Sequence, residues 1–513
     1  MKESEYKRLC QACDSLLLTR SSRIFTLAIP WLHIIREHPM FLKNYHFGGK
    51  SAWFSRDRFF NIALFFKYLA AWFLHLIRSI GFKSHCFSFS GSTPPHIDVL
   101  FISHYLNVSQ SGKVDDFYFG GVPEVLSSRG YKVAIALINH SAEHERDIAY
   151  SWTNSNTFRI VLHKSLGFLS NLRLFVISFE EFLDLLFCRP KMNDKISKSI
   201  YSRAVVESIS GGTRNTLRIY EQIKALNILV KPRVILATYE GHAWERLAFL
   251  AAREVNPCIT CVGYQHAALF RLQHSIKRSI KANLDPDIIL TSGLISKQQF
   301  EEVVQLKNTP VIVLGSNRSF NLNQLKKDSV LQVTDACLVL PEGELSECNI
   351  LFEYSLKCAR RHPDVNFIWR LHPLITFDTL IKNNPIFAHL PSNITLSTSS
   401  LEEDISRCKY SLYRGSTAIV QAIGAGIRPI YLEISGEMTI DPLYSINSFK
   451  SKVLTIEDFS NILMRKNMDS LIKKDQEDLI AFCHQFFIKF DPKIIVRILK
   501  DNKQVNRNSN AEK

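Results

Sequence analysis

Five apolar runs in this chain end on residues equipped for acid–base or phosphate chemistry. VILAT runs into Tyr239-Glu240-Gly241-His242, and ITCVGY into Gln265-His266. Further on, CLVLP leads into Glu342-Gly343-Glu344, FIWRL, which carries Arg370, into His372-Pro373, and YSLYRG, which carries Arg414 and Gly415, into Ser416-Thr417. In open α/β sheets ligands bind beyond the carboxyl ends of the strands, so chemistry is expected at these ends.

Glu240 is the candidate base, a carboxylate after a buried strand, with Gly241 allowing a ligand close to the backbone. The plainer reading makes it a cap for the helix starting at Trp244 or a partner of Arg246. His372 ends a strand on an imidazole whose following proline fixes the turn, so it can donate a hydrogen bond or a proton to a departing phosphate. The other two His-Pro pairs, His38-Pro39 and His362-Pro363, read as helix terminations. Gly415-Ser416-Thr417 opens a helix over 418–425, where free N–H groups and hydroxyls suit a phosphate; the alternative is an ordinary cap. Glu342, Gly343, Arg370 and Arg414 then belong to the nucleotide side of a site, and Tyr239, Gly241, His242, Gln265 and His266 to its acceptor side.

Positioning such residues takes strands and helices in alternation, which is the pattern of the chain after residue 95. Strands are expected at 97–104, 131–138, 234–238, 259–264, 288–291 and 311–314. A second block has them at 337–340, 367–371, 394–396, 410–413 and 429–433. A helical stretch of 165–229 breaks near Gly211–Gly212. The expected architecture is α/β: two Rossmann-like domains, 95–316 and 335–502, with a cleft between them. A polar linker at 317–334, a helical extension at 1–94 and a frayed tail at 503–513 complete it.

A chain of 513 residues with 46% hydrophobic and 22% charged side chains has the composition of a folded, enzyme-sized protein and excludes disordered and collagen-like classes. Its net charge of +15 is uneven, with 13 Lys/Arg against 5 Asp/Glu in residues 1–94. There the run Phe59 to Phe82 is long enough to span a membrane but carries Lys67. On a helical wheel Asn61, Lys67, His75, Arg78 and Ser79 share an arc of roughly 120°, with Phe65, Phe66, Trp72 and Phe73 opposite. This predicts a helix lying in a membrane interface, Lys67 and Arg78 toward lipid phosphates and Trp72 in the apolar layer, or else a helix packed on the protein's own core. No nucleic-acid module accompanies the basic leader, so nucleic acid is not an expected partner. No signal peptide is visible, and the scattered cysteines read as reduced thiols. Walker A, H-E-x-x-H, G-x-S-x-G and G-x-G-x-x-G motifs are absent. No D-x-D follows a strand, Asp285-Pro286-Asp287 preceding one, so neither metal nor cofactor is expected.

R-L-H-P after one strand and R-G-S-T-A before a helix, within a two-block α/β layout, resemble the GT-B glycosyltransferases of bacterial envelope synthesis. They are most similar to the CMP-sugar-using sialyl-, polysialyl- and Kdo-transferases. T-Y-E-G-H-A-W-E-R with G-Y-Q-H downstream resembles bacterial surface carbohydrate biosynthesis proteins. The resemblance covers roughly residues 95–460. It implies that His372-Pro373 contacts a nucleotide phosphate, that Ser416-Thr417 binds phosphate, and that the triplet Tyr239-Glu240-Gly241 supplies the base, with a tyrosine where the group carries its first acid. The expected activity is sugar transfer from a nucleotide-activated donor to a surface-polysaccharide or lipid-linked acceptor, without a metal, at the cytoplasmic face of the cell membrane. A CDP-glycerol-type glycerophosphotransferase, a nucleotide-sugar epimerase and a non-catalytic scaffold of polysaccharide assembly are the alternatives.

Overall fold

The computed structural model describes residues 1–45, 53–81, 86–92, 96–153, 155–187, 194–319, 334–373, 375–446, 450–464 and 469–501. Most of the expected linker and all of the expected tail lie outside the described residues.

Two sheets carry the chain. The first joins β1 (Phe87–Phe89), β2 (Val99–Tyr105), β3 (Val133–Asn139), β4 (Phe158–Leu162), β5 (Val234–Thr238), β6 (Thr260–Gln265), β7 (Ile288–Thr291) and β8 (Val311–Val313) in the order β1-β4-β3-β2-β5-β6-β7-β8. All neighbours are parallel except β1 and β4. The second joins β9 (Thr334–Leu340), β10 (Asn366–Trp369), β11 (Ile394–Leu396), β12 (Cys408–Tyr413), β13 (Arg428–Leu432) and β14 (Ser451–Val453), all parallel, in the order β11-β10-β9-β12-β13-β14. β1, β4 and β14 went unpredicted; two of them are three-residue edge strands with only a short apolar signal.

Both sheets are buried on both faces, which is why β3 and β5 read as unbroken apolar runs. Alternation sorts the side chains: Leu100 and Ile102 of β2 enter one core, Val99 and Phe101 the other. In each sheet the winding reverses once. From β2 the chain goes outward through β3 and β4, then crosses to β2's other side and continues from β5 to β8. From β9 it goes through β10 and β11, then crosses to β12. The crevices between β2 and β5 and between β9 and β12 are therefore the two topological switch points, where such sheets bind ligands.

Two expected boundaries are not boundaries of packing. The N-terminal extension shares the first sheet's core: Tyr6, Leu9, Cys13 and Leu17 of helix Glu3–Thr19 are buried in it. Asp14 of that helix holds Arg278 at 2.6 Å and His274 at 2.8 Å. The C-terminal end leaves the second sheet, and Ile495, Ile498 and Leu499 pack on the first sheet's other face. Returning backbone is hydrogen-bonded at Ser316 N–H to Ile488 O (2.7 Å) and Asp491 N–H to Leu314 O (2.8 Å). Gly211 and Gly212 open a helix, Gly211–Val230, behind the cap of Ser210, instead of breaking one.

Candidate active site

At the first switch point β2 ends on His104 and Tyr105, and β5 ends on Thr238. The His104 ring spans the crevice, Nε2 lying 3.0 Å from Thr238 Oγ1 and Nδ1 2.9 Å from His140 Nε2. Burial, with His140 beside it, presses its pKa well below the ordinary value, so His104 is a neutral, doubly hydrogen-bonded strut.

The turn after β5 is held by Glu245 of helix Ala243–Val255. Its carboxylate accepts the backbone N–H groups of Glu240 (3.0 Å), Gly241 (2.7 Å) and His242 (2.8 Å). These three donors are spent on a side chain of the chain itself, so this helix start is no anion site. Gly241 is at φ +87°, and a Cβ there would strike the Ser275–Ile276 backbone. The turn leaves Glu240 and His242 half-exposed and facing each other, Oε2 to Nε2 3.5 Å. Burial favours the neutral acid, but the His242 hydrogen bond and the charges of His266, His242 and Arg36 outweigh it and hold Glu240 at about 2. Burial likewise disfavours charged His242, yet Glu240 and Glu245 together raise its pKa.

Two expected acceptor-side residues are buried. Tyr239 is fully buried, its ring under the β6 backbone where a Cβ at Gly263 would collide with it, and so it cannot meet a ligand. Gln265 is 2% exposed at the carboxyl end of β6, an interior strand of the sheet. His266 does stand near the turn, edge-on to Tyr118 at 4.6 Å, and burial holds it at about 4.

At the second switch point the ends of β9, β10 and β12 converge. The His372 imidazole lies on Gly343, where a Cβ would come within 2.7 Å of the ring, and the Glu342 carboxylate lies on Gly415 so closely that a Cβ would overlap it. Burial and then the Arg318 charge hold His372 below its ordinary pKa, against the pull of Glu342. A neutral imidazole here donates one hydrogen bond and carries no charge.

Three residues expected on the nucleotide side are committed to carboxylates or cations of the chain itself. Arg414 is buried between Glu347 (2.7 Å) and Glu437 (2.8 Å). Arg370 donates to Asp404 at 2.8 Å and to Ser399 O at 2.8 Å. Glu342 takes Arg36 at 2.9 Å and His38 at 3.3 Å, both from the N-terminal extension. His38 also corrects its own reading: with Pro39 it starts helix Pro39–Leu42, Nδ1 accepting from Met40 N–H, whereas His362 does end helix Leu345–Arg361.

Thr417 makes no side-chain cap for helix Ala418–Gly424. Its hydroxyl instead accepts from Arg318 Nη1 at 3.1 Å. Arg318 follows β8 of the first sheet, and its charge bears on Glu240 and Tyr118 on one side and on His372 on the other. Arg318 thus hydrogen-bonds the second strand-end cluster and reaches the first through its charge.

No protein-family model matches the chain, and no curated protein does. Among solved structures it is similar to the glycotransferase of kitacinnamycin, with 11% identity, 81% of this chain and 99% of that one covered, and a TM-score of 0.45. It is also similar to the glycosyltransferase SnogD from Streptomyces nogalater (11% identity, 80% and 99% covered, TM-score 0.43). A third is the UDP-GlcNAc 2-epimerase from Neisseria meningitidis bound to UDP-GlcNAc (14% identity, 79% and 100% covered, TM-score 0.42). Such values say nothing of what this chain binds.

Sequence reading missed His104, His140, Arg318 and Arg36. His104 and His140 obey the strand-end rule and were findable by applying it to β2 and β3 as well. Arg318 sits at the start of a polar stretch that reads as linker, and Arg36 in a leader far from the second sheet; neither has a local signal.

The packing of Glu342 on Gly415 is open to test. Gly415→Ala should drive that carboxylate off Arg36 and cost about 1–3 kcal/mol, the range for overpacking a filled interior. A thermal midpoint equal to the wild type's would refute the contact.

Proposed function

We propose that this chain is a glycosyltransferase that moves a sugar from a nucleotide-activated donor, with a CMP-sugar favoured, to a surface-polysaccharide or lipid-linked glycan. The observation that carries the reading is Arg318, which hydrogen-bonds Thr417 at one switch point and lies in the field of Glu240 at the other. One cleft then holds a proton acceptor on its first-sheet wall and phosphate donors on its second.

In this reading the acceptor hydroxyl sits beside the Glu240–His242 pair. His242, with its raised pKa, is the better matched base, and Glu240, ionised through the neutral range, orients it and stabilises the imidazolium. As the hydroxyl oxygen bonds the anomeric carbon, its proton passes to His242. The bond from that carbon to the donor's phosphate oxygen breaks, and the phosphate keeps the electron pair. Arg318, the Ser416 and Thr417 hydroxyls and the neutral His372 N–H meet the developing charge.

Incubation with CMP-, CDP- and UDP-activated sugars, with and without glycan acceptor, tests this. Acceptor-dependent release of one nucleotide is expected, and Ser416→Ala with Thr417→Ala should abolish the rise in thermal midpoint that the nucleotide gives, because that rise tracks occupancy. Conversion of a nucleotide-sugar to its epimer without acceptor, or release of CMP from CDP-glycerol with glycerol phosphate transferred, would replace this reading. An unchanged midpoint with every nucleotide would remove it.

A further inference from the structure

Helix Trp53–Ser79 keeps Lys67, Arg78, Phe66 and Phe73 exposed, as expected, but buries Trp72 and Ser79 against the protein. Trp72 is buried, Nε1 donating to Ile209 O at 2.9 Å, and packs on Phe175. His75 faces Asn171 at 3.3 Å, Tyr68 donates to Glu207 at 3.2 Å, and Ser79 is buried. Tyr68, His75 and Ser79 thus point inward together with Trp72, while Lys67 and Arg78 are exposed. The outward face holds Phe60, Ile62, Phe66, Phe73, Ile77 and Ile80, each more than half exposed.

Helix Phe168–Phe187 packs alongside, Phe65 on Phe182 at 5.0 Å, and turns its own apolar residues out, Leu169 at 78% and Phe187 at 77% exposure. Between the two helices and helix Lys195–Glu207 lies a cavity of about 350 Å³ lined by Phe65, Phe182, Leu185 and Val205. Its lining also includes the exposed Ile62 and Leu186, so the cavity reaches the outer surface. Monomeric soluble proteins rarely expose a continuous apolar face of this kind.

Charge selects the occupant. Lys67, Arg78 and Arg173 are exposed on these helices, and the chain has no Asp or Glu between Asp57 and Asp98; Glu180 is an exposed acid on the second helix. We propose that the outward faces of residues 60–80 and 168–187 dock into the interface of an anionic phospholipid bilayer, apolar side chains in the acyl layer and cations at the phosphates, with the cavity open to an aliphatic chain. The first helix is long and apolar enough to cross a membrane, but its inward face is packed on protein and Lys67 would lie at mid-depth, which favours lying in the interface.

The full chain is floated with phosphatidylcholine vesicles with and without phosphatidylglycerol, no donor or acceptor present, so the result is independent of the proposed transfer. Binding to the anionic vesicles is expected, only partly weakened by high salt. Phe66→Asp with Ile77→Asp should abolish it, and Lys67→Glu with Arg78→Glu should weaken it by roughly thirtyfold or more, at about a fivefold loss per basic residue removed. Thermal midpoints should stay at the wild-type value. Wild type that stays at the bottom of the gradient with both vesicle types overturns the proposal. So does a lipid-free dimer that Phe66→Asp with Ile77→Asp dissociates, since a second copy would then be the occupant.

Discussion

His242→Ala should lower transfer by about 10²–10⁴-fold, the usual range for a lost general base, while leaving the fold intact, since the side chain is 41% exposed. Its pH signature is more telling than its size. Burial would lower the imidazole's pKa, but the Glu240 and Glu245 carboxylates raise it. Only neutral imidazole accepts a proton, so kcat/KM should fall as pH drops through that raised value. Glu240→Gln removes one of the two anions, so the pKa falls and the acidic limb of the profile should move to lower pH, with a smaller loss of rate than in His242→Ala. Were Glu240 itself the base, the wild-type limb would lie near its own pKa of about 2, and Glu240→Gln would lose the rate without moving any limb near neutrality. A pH–rate profile of both variants separates the two.

Arg318→Ala should lower kcat by about 10²–10³-fold, as for the loss of one preorganised charge stabiliser, and should also lose the thermal stabilisation given by nucleotide. Arg318→Lys should recover only part, because an ammonium keeps the charge without the planar fork that can hold Thr417 and a phosphate together. Acceptor KM should move little. Wild-type turnover in Arg318→Ala would show that the cation merely ties the two sheets together.

What could be read from the sequence was what is local. The bounds of β5, β7 and β11 coincide with their apolar runs, and the strand ends bearing Glu240, His242 and His372 followed from grammar within a few residues. What was illegible depends on distance. Arg370 and Arg414 look like phosphate ligands until Asp404, Glu347 and Glu437 are folded beside them. His104 and His140 meet only because the β2–β3 register sets Tyr105 opposite Asn139. Periodicity sorted helix 53–79 into two faces but could not say which faced protein, since its inward polar groups have partners, Asn171 and Glu207, that lie far along the chain.

The return of the chain to its first sheet has a mechanical consequence. The backbone leaves the first sheet past Ser316 and comes back at Ile488, and those two residues are bonded to each other. Two passages lying side by side define a line, and turning about that line is the movement of one sheet against the other that stretches neither passage. Arg318, whose guanidinium lies 5.8 Å over the Phe487 ring, sits next to it. Points near an axle travel least. In any turn about that line the guanidinium would therefore be displaced least, and side chains farther out on either sheet most.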